Sequence, residues 1–136
     1  MRVENYDRKN NVKLIETMSS LMLISSQARQ GGILTIVPIV DQVKESFLQK
    51  SLQMAIDGYD PESIKETLNT EIDSTNAYKR LVVEGVCMLA SNETTEVMEE
   101  RFKTYLSAED QAKLDVRAKD LLEDWKERCQ RGEVVF

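Results

Sequence analysis

The side chains able to do chemistry are few and poorly grouped for it. There is no histidine, which removes the commonest general base and the commonest metal ligand. The two thiols, Cys87 and Cys129, and the many hydroxyls therefore lack a base to activate them. The cysteines also lack metal-ligand spacing, and read as reduced, partly buried thiols. Glu99 and Glu100 are adjacent, so on a helix they point in different directions and form a solvated acidic face rather than an acid–base pair. Asp57-Gly58-Tyr59-Asp60 shares letters with a calcium loop, but the remaining ligand positions are missing, and a turn explains it better. Gly31-Gly32 is not followed by the lysine and hydroxyl of a phosphate loop. The expectation is a protein that is not an enzyme, with no cofactor and no metal. What remains is charge. Arg29 closes an apolar helical stripe just before two glycines, so its guanidinium can reach out from a helix end, charged at any cellular pH. The ordinary alternative is a local ion pair with Asp41 or Glu45, worth under about 1 kcal/mol.

The elements that must carry these residues are helical. Residues 47–72 and 81–106 are one unit written twice, superimposed without a gap when Phe47 is laid on Leu81. Met54 then meets Met88, Glu62 meets Glu96, and Ile64 and Leu68 meet Met98 and Phe102. Each copy reads as helix, tight turn, helix. In the first, Gly58 supplies a left-handed turn residue, Asp60 caps the next helix and Pro61 suits its first position. Asn92 and Thr94 stand in those places in the second. A tetratricopeptide array is rejected, because there are two copies and the signature aromatic and glycine positions are absent. Two ordinary hairpins in coincidental phase remain the alternative.

Around this centre, residues 1–10 are polar and expected to be a flexible start. An apolar stripe from Leu14 through Met18, Leu21 and Met22 predicts a long first helix. That helix is expected to weaken at Gly31-Gly32, continue as helix over 33–37, and end or kink at Pro38. Asp41 is the expected cap of the following helix. Ser107 opens a last helix that places Leu114, Ala118, Leu121, Leu122, Trp125 and Cys129 on one face, with Trp125 as its anchor and Gly132 as its stop. The fold predicted is all-α, a compact bundle of about six helices in a single domain. Net charge is −6, which weighs against nucleic acid as a partner. No apolar run is long enough to span a membrane, and no signal peptide is visible at the start of the chain.

Ala28-Arg29-Gln30-Gly31-Gly32-Ile33-Leu34-Thr35-Ile36-Val37 is followed by Phe47-Leu48, Leu52, Asp57-Gly58 and Asp60-Pro61, then by the acidic helix from Glu62 to Glu71. With Val83-Glu84-Gly85 through Leu106 as a tail, this order resembles the cytoplasmic region of the flagellar stator A subunit, in the MotA/TolQ/ExbB family, over about two-thirds of the chain. The resemblance implies an ion-driven rotary machine at the cytoplasmic face of the bacterial inner membrane. Its partners would be a stator B subunit (MotB-like), further A subunits in a homo-oligomer, and a rotor switch protein (FliG-like) that receives torque through charged contacts. The family sets two membrane helices between the acidic helix and the tail. Here a short polar bridge stands instead, so 74–77 is an expected junction between two cytoplasmic pieces. The resemblance carries the rotor-facing arginine onto Arg29. The family's glutamate eight residues later is Val37 here, which leaves Asp41 or Glu45 as candidate substitutes. A free-standing helical adaptor that holds a helix in a groove is the rival reading.

Overall fold

The computed structural model describes residues 3–72 and 76–132, with side chains from Val12 onward. The flexible start expected over 1–10 and the junction expected over 74–77 lie wholly or partly outside that description. The chain is all-α, with no strand among the described residues. The helices are α1 (Val3–Gly31), α2 (Val37–Val40), α3 (Ser46–Ile56), α4 (Pro61–Asn69), α5 (Ala77–Ala90), α6 (Thr95–Lys103) and α7 (Ala108–Gln130), with a 3-10 helix at Ile33–Ile36.

The helix beyond the one expected arises where the first was supposed to run on. Gly32 adopts φ 95°, a conformation closed to most side chains, and α1 stops there. A side chain at Gly31 would meet the Thr35 methyl at 2.7 Å. Thr35 holds the break by donating its hydroxyl to the Gly32 carbonyl at 2.6 Å. The segment over 33–37 is therefore a tight 3-10 turn and not a continuation of α1. Pro38 then lies in the first turn of α2, where its missing amide costs nothing, so it opens a helix rather than ending one.

The two hairpins, α3–α4 and α5–α6, repeat down to their hydrogen bonds. Gly58 (φ 89°) and Asn92 (φ 60°) hold the left-handed positions after α3 and α5. Behind each, the next amide reaches back to the helix: Tyr59 N–H to the Met54 carbonyl at 3.1 Å, Glu93 N–H to the Met88 carbonyl at 3.0 Å. Asp60 caps α4 by accepting from Ser63 N–H, and Thr94 caps α6 by accepting from Val97 N–H. Superimposed apolar pairs buried on both sides include Leu48 with Val82, Leu52 with Val86, Ile64 with Met98 and Leu68 with Phe102, whereas Met54 is buried and its counterpart Met88 only partly so.

Four helices share one direction. Where α3 and α5 begin, Lys13 in the first half of α1 sits 4.2 Å over the Tyr78 ring of α5, and Tyr78 donates its hydroxyl to Glu45, just before α3, at 2.6 Å. At the other end, Arg29 of α1 donates to the Asn92 carbonyl after α5 at 2.7 Å. Likewise Arg117 of α7 donates to Glu16 of α1, and Trp125 donates to Gln27 further along both. So α1, α3, α5 and α7 run parallel, and the short α4 and α6 return the chain. Their apolar faces meet in one core that includes Met18, Leu21, Leu52, Leu68, Leu81, Val86, Phe102 and Leu114.

Gly85 marks a close approach of α5 to α1 and α6. A β-carbon there would lie 2.7 Å from Leu21 Cδ1 and 3.2 Å from Phe102 Cζ, both in the core. Gly85→Ala is thus expected to destabilise despite alanine's better helix propensity. Overpacking costs about 1–3 kcal/mol and the propensity gain returns about 1. A denaturant titration checks it; a more stable variant would show that α1 and α6 yield freely.

Candidate functional site

Arg29 lies exposed near the end of α1, and its guanidinium caps the second hairpin turn. It donates to the Asn92 carbonyl at 2.7 Å and approaches the Asn92 side-chain oxygen at 3.4 Å. Among the described residues it forms no ion pair with Asp41 or Glu45. Sequence reasoning missed Asn92 as its partner. The repeat placed Asn92 on a turn, but nothing local links two residues 63 positions apart.

Both hairpin turns and the end of α1 meet here. Gly58, Tyr59, Pro61, Asn92, Ala28 and Ile33 are among the residues around a cleft of about 400 Å³. Two large apolar side chains stand exposed in this part of the chain, Leu34 at 71% and Tyr59 at 47%. Gly58, Asp60 and Pro61 occupy the turn positions their types suggest, with Asp60 as N-cap and Pro61 first in α4.

The two acidic candidates part company. Asp41 is exposed and follows α2 in helical conformation, so it is a C-terminal residue of that short helix and not the cap of α3. Glu45 is the cap. Its backbone is extended, and its two carboxylate oxygens accept from Phe47 N–H at 3.2 Å and Leu48 N–H at 2.8 Å. The reason is spacing: α3 begins at Ser46, and only the preceding residue can reach those amides. Burial alone would raise the Glu45 carboxyl. The hydrogen bonds from Tyr78, Leu48 and Phe47, with Lys13 nearby, outweigh it and hold the group below the usual range. Glu45 is therefore committed to the fold at the end where α3 and α5 begin. Arg29 lies at the other end of α1, about 24 Å from Lys13 along the helix.

A second tyrosine–carboxylate pair joins the turn after α6 to α5. Tyr105 donates to Glu84 at 2.6 Å, and Arg101 lies 3.2 Å from the same carboxylate. Burial and the Glu84 hydrogen bond push the Tyr105 phenol up to about 12, and burial with the Glu45 hydrogen bond raises Tyr78 further. A raised phenol contributes stability that is whole below its unfolded value near 10 and lost as pH climbs toward the folded one. The depressed Glu45 contributes above about 4.5 and is lost as pH falls. Thermal midpoints are expected to hold level from about pH 5 to 8, where the unfolded thiol of Cys87 begins to titrate, and to fall on both sides, the two phenols adding to the fall above about pH 10. Tyr78→Phe with Tyr105→Phe should flatten the alkaline fall, and an unchanged alkaline limb would refute that origin.

Cys87 is partly buried, with its Sγ 3.5 Å from the Pro61 carbonyl, and burial pushes its thiol up. Glu99 and Glu100 separate as their spacing requires, Glu99 facing Lys103 at 3.1 Å and Glu100 facing solvent. Among the described residues no group of three or more acidic or thiol side chains could hold a metal ion, and no helix is long and apolar enough to cross a membrane.

No family model matches this chain, and no solved structure does. Among curated proteins, Motility protein A of Helicobacter pylori is 34% identical over 67 residues, which are 49% of this chain and 26% of that protein. Motility protein A of Borreliella burgdorferi is 29% identical over 66 residues, 48% of this chain and 25% of its own length. A Bacillus subtilis protein named Uncharacterized protein YtxD is 39% identical over 66 residues, covering 48% and 23%. The chain thus spans about a quarter of the length of these curated relatives. The likeness reaches about half of the chain, less than the two-thirds its motifs led one to expect. Over that half, this chain is a homologue of the proteins named Motility protein A.

Proposed function

We propose that this chain is the rotor-facing, cytoplasmic part of a flagellar stator A subunit and passes torque to a rotor switch protein through charged surface contacts. It works within a homo-oligomer beside a stator B subunit, and Arg29 is the contact charge. The observation that carries the reading, beside the likeness to Motility protein A, is where Arg29 sits. It lies exposed at the end where two rigid turns meet, far along α1 from the end where α3 and α5 begin. An exposed cation held only by hydrogen bonds to Asn92, with no carboxylate paired to it among the described residues, stays available to a passing acidic surface. Such contacts are fast and salt-sensitive, as a moving partner requires. Glu45, spent as a helix cap, is the weaker of the two acidic candidates; Asp41, exposed, is the better one.

Arg29→Glu tests it. In this chain the melting midpoint should move little, because only an exposed hydrogen bond worth about 1 kcal/mol or less is lost. In the full-length subunit, swimming should weaken, more at low ionic strength than at high. A charge reversal on the rotor should partly restore it. Swimming left intact at both ionic strengths would remove Arg29 from the torque contact.

A further inference from the structure

A groove runs along the outer face of α5, with α4 as one wall and α6 as the other. Its volume is about 470 Å³. Val83 and Cys87, one turn apart on α5, line its floor, and Met88 lies beside them. Cations come from all three helices: Lys65 from α4, Arg80 from α5 and Arg101 from α6. Against the two carboxylates that also line it, Glu84 and Glu93, the three cations leave the groove with one positive charge in excess, in a chain of net charge −6. Of the two carboxylates at the groove, Glu84 is already occupied by Tyr105 and Arg101. The other, Glu93, stands at the far end beside the α5–α6 turn. Lys65 is exposed and forms no ion pair among the described residues.

From Arg80 to Ser91 the floor extends about 16 Å, room for about three turns of a second helix. An apolar stripe with cations on both walls complements a helix whose apolar ridge is flanked by carboxylates. We infer that this groove docks an acidic amphipathic helix of a partner protein. The groove shares no lining residue with the cleft beside Arg29, so the inference stands whether or not the stator reading does.

A displayed library of random peptides, about 16 residues long, selected on the immobilised full chain, tests it. Enriched peptides should carry apolar residues at helical spacing flanked by Asp or Glu. By fluorescence anisotropy, Lys65→Glu and Met88→Glu should each weaken them about tenfold or more, and added salt should weaken them too. Arg29→Glu should leave them unchanged. In a Cys129→Ser background, where Cys87 is the remaining thiol, a bound peptide should shield Cys87 from maleimide. Both groove substitutions are at solvent-accessible positions, and matching melting curves will verify that the variants fold. Failure to enrich any peptide overturns the inference. So does a set without acidic bias, binding that Lys65→Glu leaves intact, or a Cys87 that stays unshielded.

Discussion

Replacing Phe102 with alanine is expected to destabilise this protein by about 3–5 kcal/mol, which lowers its melting midpoint by roughly 10 °C or more. Phe102 is fully buried on α6 and is one of the largest side chains in the core. Its ring lies against Gly85, where α5 is already in close contact with Leu21 of α1, so the void cannot be filled by moving α5 inward without Leu21 giving way. The neighbourhood is thus poorly able to collapse, and the cost should lie toward the upper end of the range. Leu68 occupies the matching place in the first hairpin and is equally buried. Leu68→Ala should cost about 2–5 kcal/mol. Chemical denaturation of the two variants compares the hairpins directly. A Phe102→Ala variant within about 1 kcal/mol of the parent would mean that α6 contributes little to the core.

Leu114→Ala should come next, at about 2–5 kcal/mol, with a local consequence. Of the residues of α7, Leu114 is the fully buried one. The rest of the helix lies on α1 through partly buried side chains, the Arg117–Glu16 pair and the Trp125–Gln27 hydrogen bond. Removing the Leu114 side chain should loosen α7 before the hairpins unfold. Hydrogen exchange should then speed up along α7 first, and proteolysis should cut there while α3 to α6 stay protected. Trp125 keeps part of its surface in solvent, so Trp125→Ala is expected to cost less than the roughly 3–5 kcal/mol of a fully buried tryptophan. The anchor of this helix is Leu114 rather than Trp125. If Leu114→Ala exchanged uniformly along the chain, α7 would belong to one cooperative unit with the hairpins.

The hairpins were legible in the sequence because what specifies them is local. Gly58 and Asn92 at positive φ, the caps at Asp60 and Thr94, and apolar residues at threes and fours all act within a few residues. The same holds for Ser107 as the cap of α7 and for the all-α class. The errors fall where local preference was ambiguous and packing decided. Residues 33–37 have β-branched and apolar types compatible with helix or strand. They become a 3-10 turn because Gly32 breaks α1 and Thr35 closes the break. Glu45 displaced Asp41 as the α3 cap because of where that helix begins, and Tyr78, 33 residues away, then holds the carboxylate. Arg29 was recognised as an outward-reaching charge, but its partner Asn92 lies in another hairpin, brought near only when α1 and α5 pack in parallel. The groove of Lys65, Arg80 and Arg101 has the same origin: each cation is an ordinary surface residue of its own helix. Together they make a site only because α4 and α6 fold back on either side of α5.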